Sequence, residues 1–154
     1  MPLHCQIITQ ERKVFDGEVD IVTAPGAEGQ MGILPNHSPL ITALDFGELR
    51  VRQGSAEEAF AIGGGVLQVA NNNVIVLADS AERADEIDLA RAEAARRRAE
   101  KLMEEGVPGN PAAYAALEAA IRRARVRLEV GRKTGRRATG PGAMDFRSAR
   151  EEDD

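Results

Sequence analysis

The chain has 154 residues, 43% of them hydrophobic and 29% charged, and its net charge of −5 argues against a protein that grips nucleic acid non-specifically. Aromatic residues make up only 3% and Trp is absent, so the stacking platform of a single-strand binder is missing and the core must be aliphatic. Cys5 is the only cysteine and His4 and His37 are the only histidines, which excludes an intrachain disulfide and a CxxC site and argues against a protein-ligated transition metal.

The chain opens with MPLHCQIITQERK, which has neither the apolar core of a signal peptide nor the Arg- and Ser-rich composition of a transit peptide. No run approaches the roughly 18 apolar residues of a membrane span, so a reducing compartment is expected and any membrane association must come through partners. Short β-type segments follow one another at residues 3–9, 18–23, 39–44, 48–53, 58–62, 66–70 and 73–78. Gly54-Ser55 and Asn71-Asn72 read as hairpin turns between them. Strands at this spacing predict a compact antiparallel sandwich or barrel with little room for an internal ligand.

At Asp79 the composition shifts to Ala, Arg and Glu, and no Gly or Pro occurs from Asp85 to Glu105. A helix is expected there, its acidic start complementing the helix dipole. Residues 106–110 break it. Asn110-Pro111 reads as an N-cap and first-turn proline, opening a second helix that should stop at Gly131. Leu117, Ile121, Ala124 and Leu128 form its apolar stripe. The short connection predicts an antiparallel hairpin with a thin, alanine-rich interface. From Gly131 onward the sequence is rich in Gly, Arg and Pro, basic first and acidic last, and a disordered tail is expected.

Few residues invite chemistry. Gly63-Gly64-Gly65 lacks the Lys-Ser/Thr of a phosphate loop and sits among strands, so a bulge or close backbone contact is expected. Residues 26–32 have the wrong spacing for a dinucleotide fingerprint. His37, Ser38 and Asp45 lack the nucleophile elbow of a hydrolase, whereas Pro35 and Pro39 should hold His37 in a fixed place. The arginines stand out. Arg91 and Arg98 are seven residues apart, so they lie within about 20° of one another, on the stripe that also holds Ile87, Ala94 and Leu102. Arg123 and Arg127 are one turn apart on the second helix. Folded together, the helices would converge four guanidiniums, either as solvated charge or as a polyphosphate site. Glu82 and Asp88 lie beside them and can accept from ribose or adenine. No nucleophile, general base or Mg²⁺-binding hydroxyl accompanies the cluster, so such a site would bind a nucleotide without hydrolysing it.

Four stretches together carry a family resemblance: residues 15–20 (FDGEVD), 28–44 (EGQMGILPNHSPLITAL), 61–79 (AIGGGVLQVANNNVIVLAD) and 87–100 (IDLARAEAARRRAE). In this order they resemble the epsilon subunit of bacterial and chloroplast rotary (F-type) proton-translocating ATP synthases, called delta in mitochondria. The resemblance implies an N-terminal antiparallel β-sandwich of about ten strands over residues 1–84, a regulatory helical hairpin over 85–130, and a tail, 131–154, outside the usual family length. It implies a non-catalytic central-stalk subunit that couples proton flow to ATP synthesis, with no catalytic cofactor and no metal. The implied partners are the gamma subunit, the c-ring, and the alpha and beta subunits when the hairpin extends into its inhibitory state; the implied place is the cytoplasmic face of the bacterial cell membrane. The ring-contact loop maps to Gln30, Met31, Gly32 and His37, with Gln30 where many members have an acid. Ile-Asp-x-x-Arg-Ala resembles the motif of members that sense ATP. It maps to Ile87, Asp88, Arg91 and Ala92, with Glu82, Arg98, Arg123 and Arg127 at the other matching positions. ATP is then a regulatory ligand, without Mg²⁺, of a hairpin that restrains ATP hydrolysis; the alternative is a purely structural rotor coupler.

Overall fold

A computed structural model describes residues 2–106 and 109–137. Eight strands come first: β1 (Leu3–Ile8), β2 (Lys13–Val19), β3 (Ile21–Gly26), β4 (Gly29–Ile33), β5 (Leu40–Gln53), β6 (Ala56–Ala70), β7 (Asn73–Ala78) and β8 (Ala81–Arg83). A 3₁₀ turn over Ala84–Glu86 leads to α1 (Leu89–Glu104), and α2 (Pro111–Arg137) follows. The hydrogen-bonded order is β2-β1-β7-β6-β5-β3-β4, with β8 also on β6. All neighbours are antiparallel except β1 and β7.

The expected sandwich is present, with eight strands among the described residues rather than about ten. Residues 39–44 and 48–53 belong to one 14-residue strand, and 58–62 and 66–70 to one 15-residue strand. The reason is register: the β5–β6 pairing runs from Leu40↔Val69 to Gln53↔Ala56 without a shift. The two long strands therefore serve both layers. The Asn73–Ala78 and Ala81–Arg83 segments continue one register along β6, either side of a break at Asp79-Ser80. Residues 18–23, read as one strand, are split at Asp20 between β2 and β3. The glycine triplet lies inside β6 rather than between strands, and it does mark a close approach. Gly65 has φ +137°, and a Cβ there would lie 2.8 Å from Ala78 Cα. Both expected turns are made; Asn71 and Asn72 have φ of 51° and 60°, the left-handed pair a tight hairpin needs. Between the layers lies one aliphatic core, with Phe15 and Phe60 edge to face at 5.9 Å.

The helices pair antiparallel, since Glu100 meets Arg125 and Glu93 meets Arg132. α1 starts later than expected, because Asp88 Oδ1 caps it by accepting from the Arg91 amide at 3.0 Å. Asn110 caps α2 through the Ala112 amide at 3.0 Å, with Pro111 in the first turn. The expected stop at Gly131 is wrong: α2 continues to Arg137. Gly131 does not adopt a left-handed turn. Its missing side chain instead lets the start of α1 and the residues just before it approach, since a Cβ would lie 2.7 Å from Leu89 Cδ2 and 3.2 Å from Ile87 Cγ2. The tail therefore gives up residues 131–137 to the helix, and the expectation of disorder over 138–154 lies outside the described residues.

Candidate functional site

The hairpin seam is closed by Ala92 and Ala99 of α1 against Ile121, Ala124 and Leu128 of α2, all buried. The expected α1 stripe is thus shifted: Ala94 and Leu102 are exposed, and Arg91 and Arg98 flank the buried alanines instead of sharing their face. At 100° per residue, Glu93 and Glu100 border one side of the seam and Arg91 and Arg98 the other. The same count on α2 puts Arg125 and Arg132 on one side and Arg123 and Arg127 on the other.

The two sides differ in charge. On the first, Glu100 meets Arg125 at 3.6 Å, Glu93 meets Arg132 at 3.8 Å and Arg97 at 3.3 Å, and Glu93 also holds Arg96. On the second stand Arg91, Arg98, Arg123 and Arg127, with no acid from either helix. Among the described residues, Arg91, Arg98 and Arg123 are exposed, and no carboxylate lies within ion-pair distance of them. Arg127 is different: its Nε and Nη2 donate to both oxygens of Glu82, at 2.6 and 3.2 Å. That forked pair ties α2 to β8.

The other named residues fall as follows. Ile87 packs in the small cluster of Ala59, Ala61, Ala84 and Val130 that seats α2 on the sandwich. Asp88 is a helix cap, and Ala92 is wholly buried. Beside Arg123 and Arg127 lies a cavity of about 400 Å³, walled by the β1–β2 turn, the β7–β8 break, β6 and α2. Glu82, Arg123 and Arg127 line it; Ile87, Asp88, Arg91, Ala92 and Arg98 do not.

Two further contacts clamp α2 to the bend of β5. Arg122 meets Asp45 at 2.5 Å and lies over the Phe46 ring, 4.6 Å from its centre, and Lys133 meets Glu48 at 3.6 Å. The Phe46 amide and then Arg122 hold the Asp45 carboxyl below its usual range. With Asp45 so engaged, and His37 Nδ1 bonded to the Ser38 carbonyl at 2.7 Å, those three residues form no triad.

Of the ring-contact candidates, Gln30, Met31 and Gly32 lie on β4, an edge strand, with Gln30 and Gly32 exposed and Met31 packed on the core. His37 lies apart, in a loop clasped to the β6–β7 turn by Asn36 and Asn72, whose amide-to-side-chain bond is 2.6 Å. A surface the sequence reading missed is the outer face of β5, β6 and β7. There Ala43, Val66, Leu77 and Ile8 stand in one cross-strand row, beside Ile41, which is 72% exposed. The signal was available: residues 39–44, 66–70 and 73–78 are apolar on both faces, which a one-sided sheet does not require.

Comparison with known proteins agrees with this architecture. Residues 2–84 match the family described as ATP synthase, Delta/Epsilon chain, beta-sandwich domain, and residues 85–131 match its long alpha-helix domain. The ATP synthase epsilon chain of Dehalococcoides mccartyi is 54% identical over 132 residues, 85% of this chain and 93% of that one. That of Herpetosiphon aurantiacus is 48% identical over 86% of this chain and 96% of its own. A chain in the Euglena gracilis mitochondrial ATP synthase structure (OSCP/F1/c-ring) shares the fold, with a TM-score of 0.70 at 22% identity, covering 83% of this chain and 79% of that one. The chain belongs to the delta/epsilon family of ATP synthase subunits. It is a non-catalytic central-stalk subunit of a rotary complex of ATP synthesis and ion transport.

Proposed function

We propose that this subunit senses ATP on the arginine side of its hairpin seam, and that bound ATP, without Mg²⁺, keeps the hairpin docked in a permissive state. Without ATP the hairpin extends toward the alpha and beta subunits and restrains ATP hydrolysis. The observation that supports this reading is the asymmetry of the seam. Two helices that place carboxylates opposite arginines on one side leave the other to arginine alone, at a cost in repulsion that a polyphosphate would relieve. ATP shifts the hairpin only by its differential affinity for the docked state, where both helices reach it. The apolar face of Ile41, Val66 and Leu77 suits the gamma subunit, and the exposed edge of β4 at Gln30 and Gly32 suits the polar loops of the c-ring. In this reading the subunit sits at the cytoplasmic face of the bacterial cell membrane and couples proton flow to ATP synthesis.

A purely structural coupler is favoured by one observation: Glu82 already neutralises Arg127, and α2 is clamped without any ligand. Calorimetric titration of the full chain with ATP separates the two. Binding that survives a chelator and weakens by about 1.5–3 kcal/mol in Arg91→Ala and in Arg123→Ala, the worth of a hydrogen bond to a charged group, is the expected result. Wild-type chain that takes up no ATP leaves only the coupler.

A further inference from the structure

We infer that the acidic run Glu151-Glu152-Asp153-Asp154 of this chain folds back onto a basic hollow between the two helices, across the seam from Arg91, Arg98 and Arg123, and braces the hairpin there. The hollow, of about 290 Å³, is lined by Arg96 of α1 and by Arg125, Arg132 and Lys133 of α2, with Glu129 among them. Its charges do not balance among the described residues. Lys133 is matched, by Glu129 at 3.3 Å and Glu48 at 3.6 Å. The guanidiniums are not: Arg125 has Glu100, whereas Arg96, Arg97 and Arg132 all share Glu93, so four guanidiniums divide two carboxylates. Arg96 is the least satisfied of them. Its Nε is buried and has no hydrogen-bond partner among the described residues, which is costly for a donor. Its side chain is 32% exposed, so it can swing into the hollow, where a second carboxylate would accept from that N–H.

The chain itself supplies the carboxylates. Residues 151–154 form the only run of more than two acids in the sequence, and blocks of like charge serve as interaction segments. α2 ends at Arg137, and thirteen residues, 138–150, separate it from Glu151. They can span up to about 45 Å. Along the helix, Arg132 lies only about 8 Å back from Arg137, and Arg125 about 18 Å. The covalent link holds the acids at an effective concentration on the order of millimolar, so pairs too weak to retain a separate peptide suffice. Arg96 belongs to α1, and Arg125 and Arg132 to α2, so carboxylates in the hollow tie the two helices together. The other side of the seam competes for the same acids. The hollow is favoured because Arg91, Arg98 and Arg123 are exposed, so water already satisfies their donors, whereas the Arg96 donor is cut off from it. The brace forms whether or not ATP binds.

The test follows the arginine Nε–H resonances of the full chain by NMR. Wild type is compared with a variant carrying Glu151→Gln, Glu152→Gln, Asp153→Asn and Asp154→Asn together, which leaves both helices untouched. The expected result is a shift of the Arg96 resonance between the two proteins, with those of Arg91, Arg98 and Arg123 unmoved. Raising the salt to about 1 M, where the Debye length falls to about 3 Å, should bring the wild-type Arg96 resonance to the variant's position. Arg132→Gln, with the acids intact, should lose at least half of the shift. An Arg96 resonance that is the same in both proteins overturns the inference. So does a shift at Arg91, Arg98 and Arg123 instead, which puts the acids on the other side of the seam. A shift that fades on tenfold dilution overturns it too, because the acids then come from a second copy.

Discussion

Asp45 shows how one side chain links the two parts of the molecule. Its carboxylate accepts from the Phe46 amide at 2.8 Å and meets Arg122 of α2 at 2.5 Å. Both contacts favour the charged form, with the amide the larger, so its pKa in the folded protein is lowered. A lowered pKa contributes stability that is fully present above the ordinary Asp value, about 3.9, and is lost as pH falls through the folded value. Docking of α2 should therefore be constant from neutral pH down to about pH 4 and loosen below it. Asp45→Asn should show the loosened state already at neutral pH, with a modest effect because the pair is half exposed. Spin-label distances between the sandwich and α2 across a pH series check this; a distance unchanged in the variant would mean that Asp45 is not part of the clamp. Cys5 shows the opposite shift, for a different reason: burial, with the charge of Asp16 behind it, pushes its thiol up to about 12. It is a core residue between Leu3 and Ile7, and its reactivity is suppressed.

Among the elements, β6 bears the heaviest geometric demand. It pairs with β5 along its length, with β7 at one end and with β8 at the other, and the chain must cross from one layer to the next without losing register. Gly65 makes that possible, because its φ of +137° is one that side chains rarely adopt and the backbone of Ala78 occupies the place of a Cβ. Gly65→Ala should cost about 2–4 kcal/mol, strain and overpacking together, read from the urea midpoint. A midpoint within error of wild type would mean that the bend yields. The helices have the opposite character. Their contacts with the sandwich are the small side chains of Ala59, Ala61 and Ala84 around Val130, supplemented by the ion pairs of Arg122, Arg127 and Lys133.

At the scale of the molecule, this contrast separates a self-sufficient body from a detachable one. The main core runs from Leu3 to Ala78 and includes nothing from α1 or α2. Deleting residues 85–154 should therefore leave a sandwich that unfolds cooperatively and still joins the rest of the complex, since removing the hairpin uncovers little more than alanine surface. Circular dichroism with urea unfolding, and assembly into the complex, check this. A truncated chain that is unfolded would mean that the hairpin is part of the core. The restraint on ATP hydrolysis should disappear with the deletion if the hairpin is the brake.

What the sequence by itself determined was whatever depends on neighbours along the chain. Most strand segments, though not β4 or the break at Asp20, were legible, as were the Gly54-Ser55 and Asn71-Asn72 turns, the Asn110-Pro111 helix start and the two-part architecture, because alternation, turn chemistry and capping act over a few residues. So was the pairing of Arg91 with Arg98 on one flank, which is helix arithmetic. Only the tertiary structure decided that four of the expected strands are two long ones, because register between distant segments has no local signature. Only it decided that Gly131 is a packing glycine within α2, since the same residue would serve as a helix stop if Leu89 and Ile87 were elsewhere. And only it decided that the arginine side of the seam has no acid from either helix while Glu82 reaches Arg127 from the sandwich. Which charges face one another depends on how antiparallel helices and a sheet are laid together, and guanidinium and carboxylate attract across space, not along the chain.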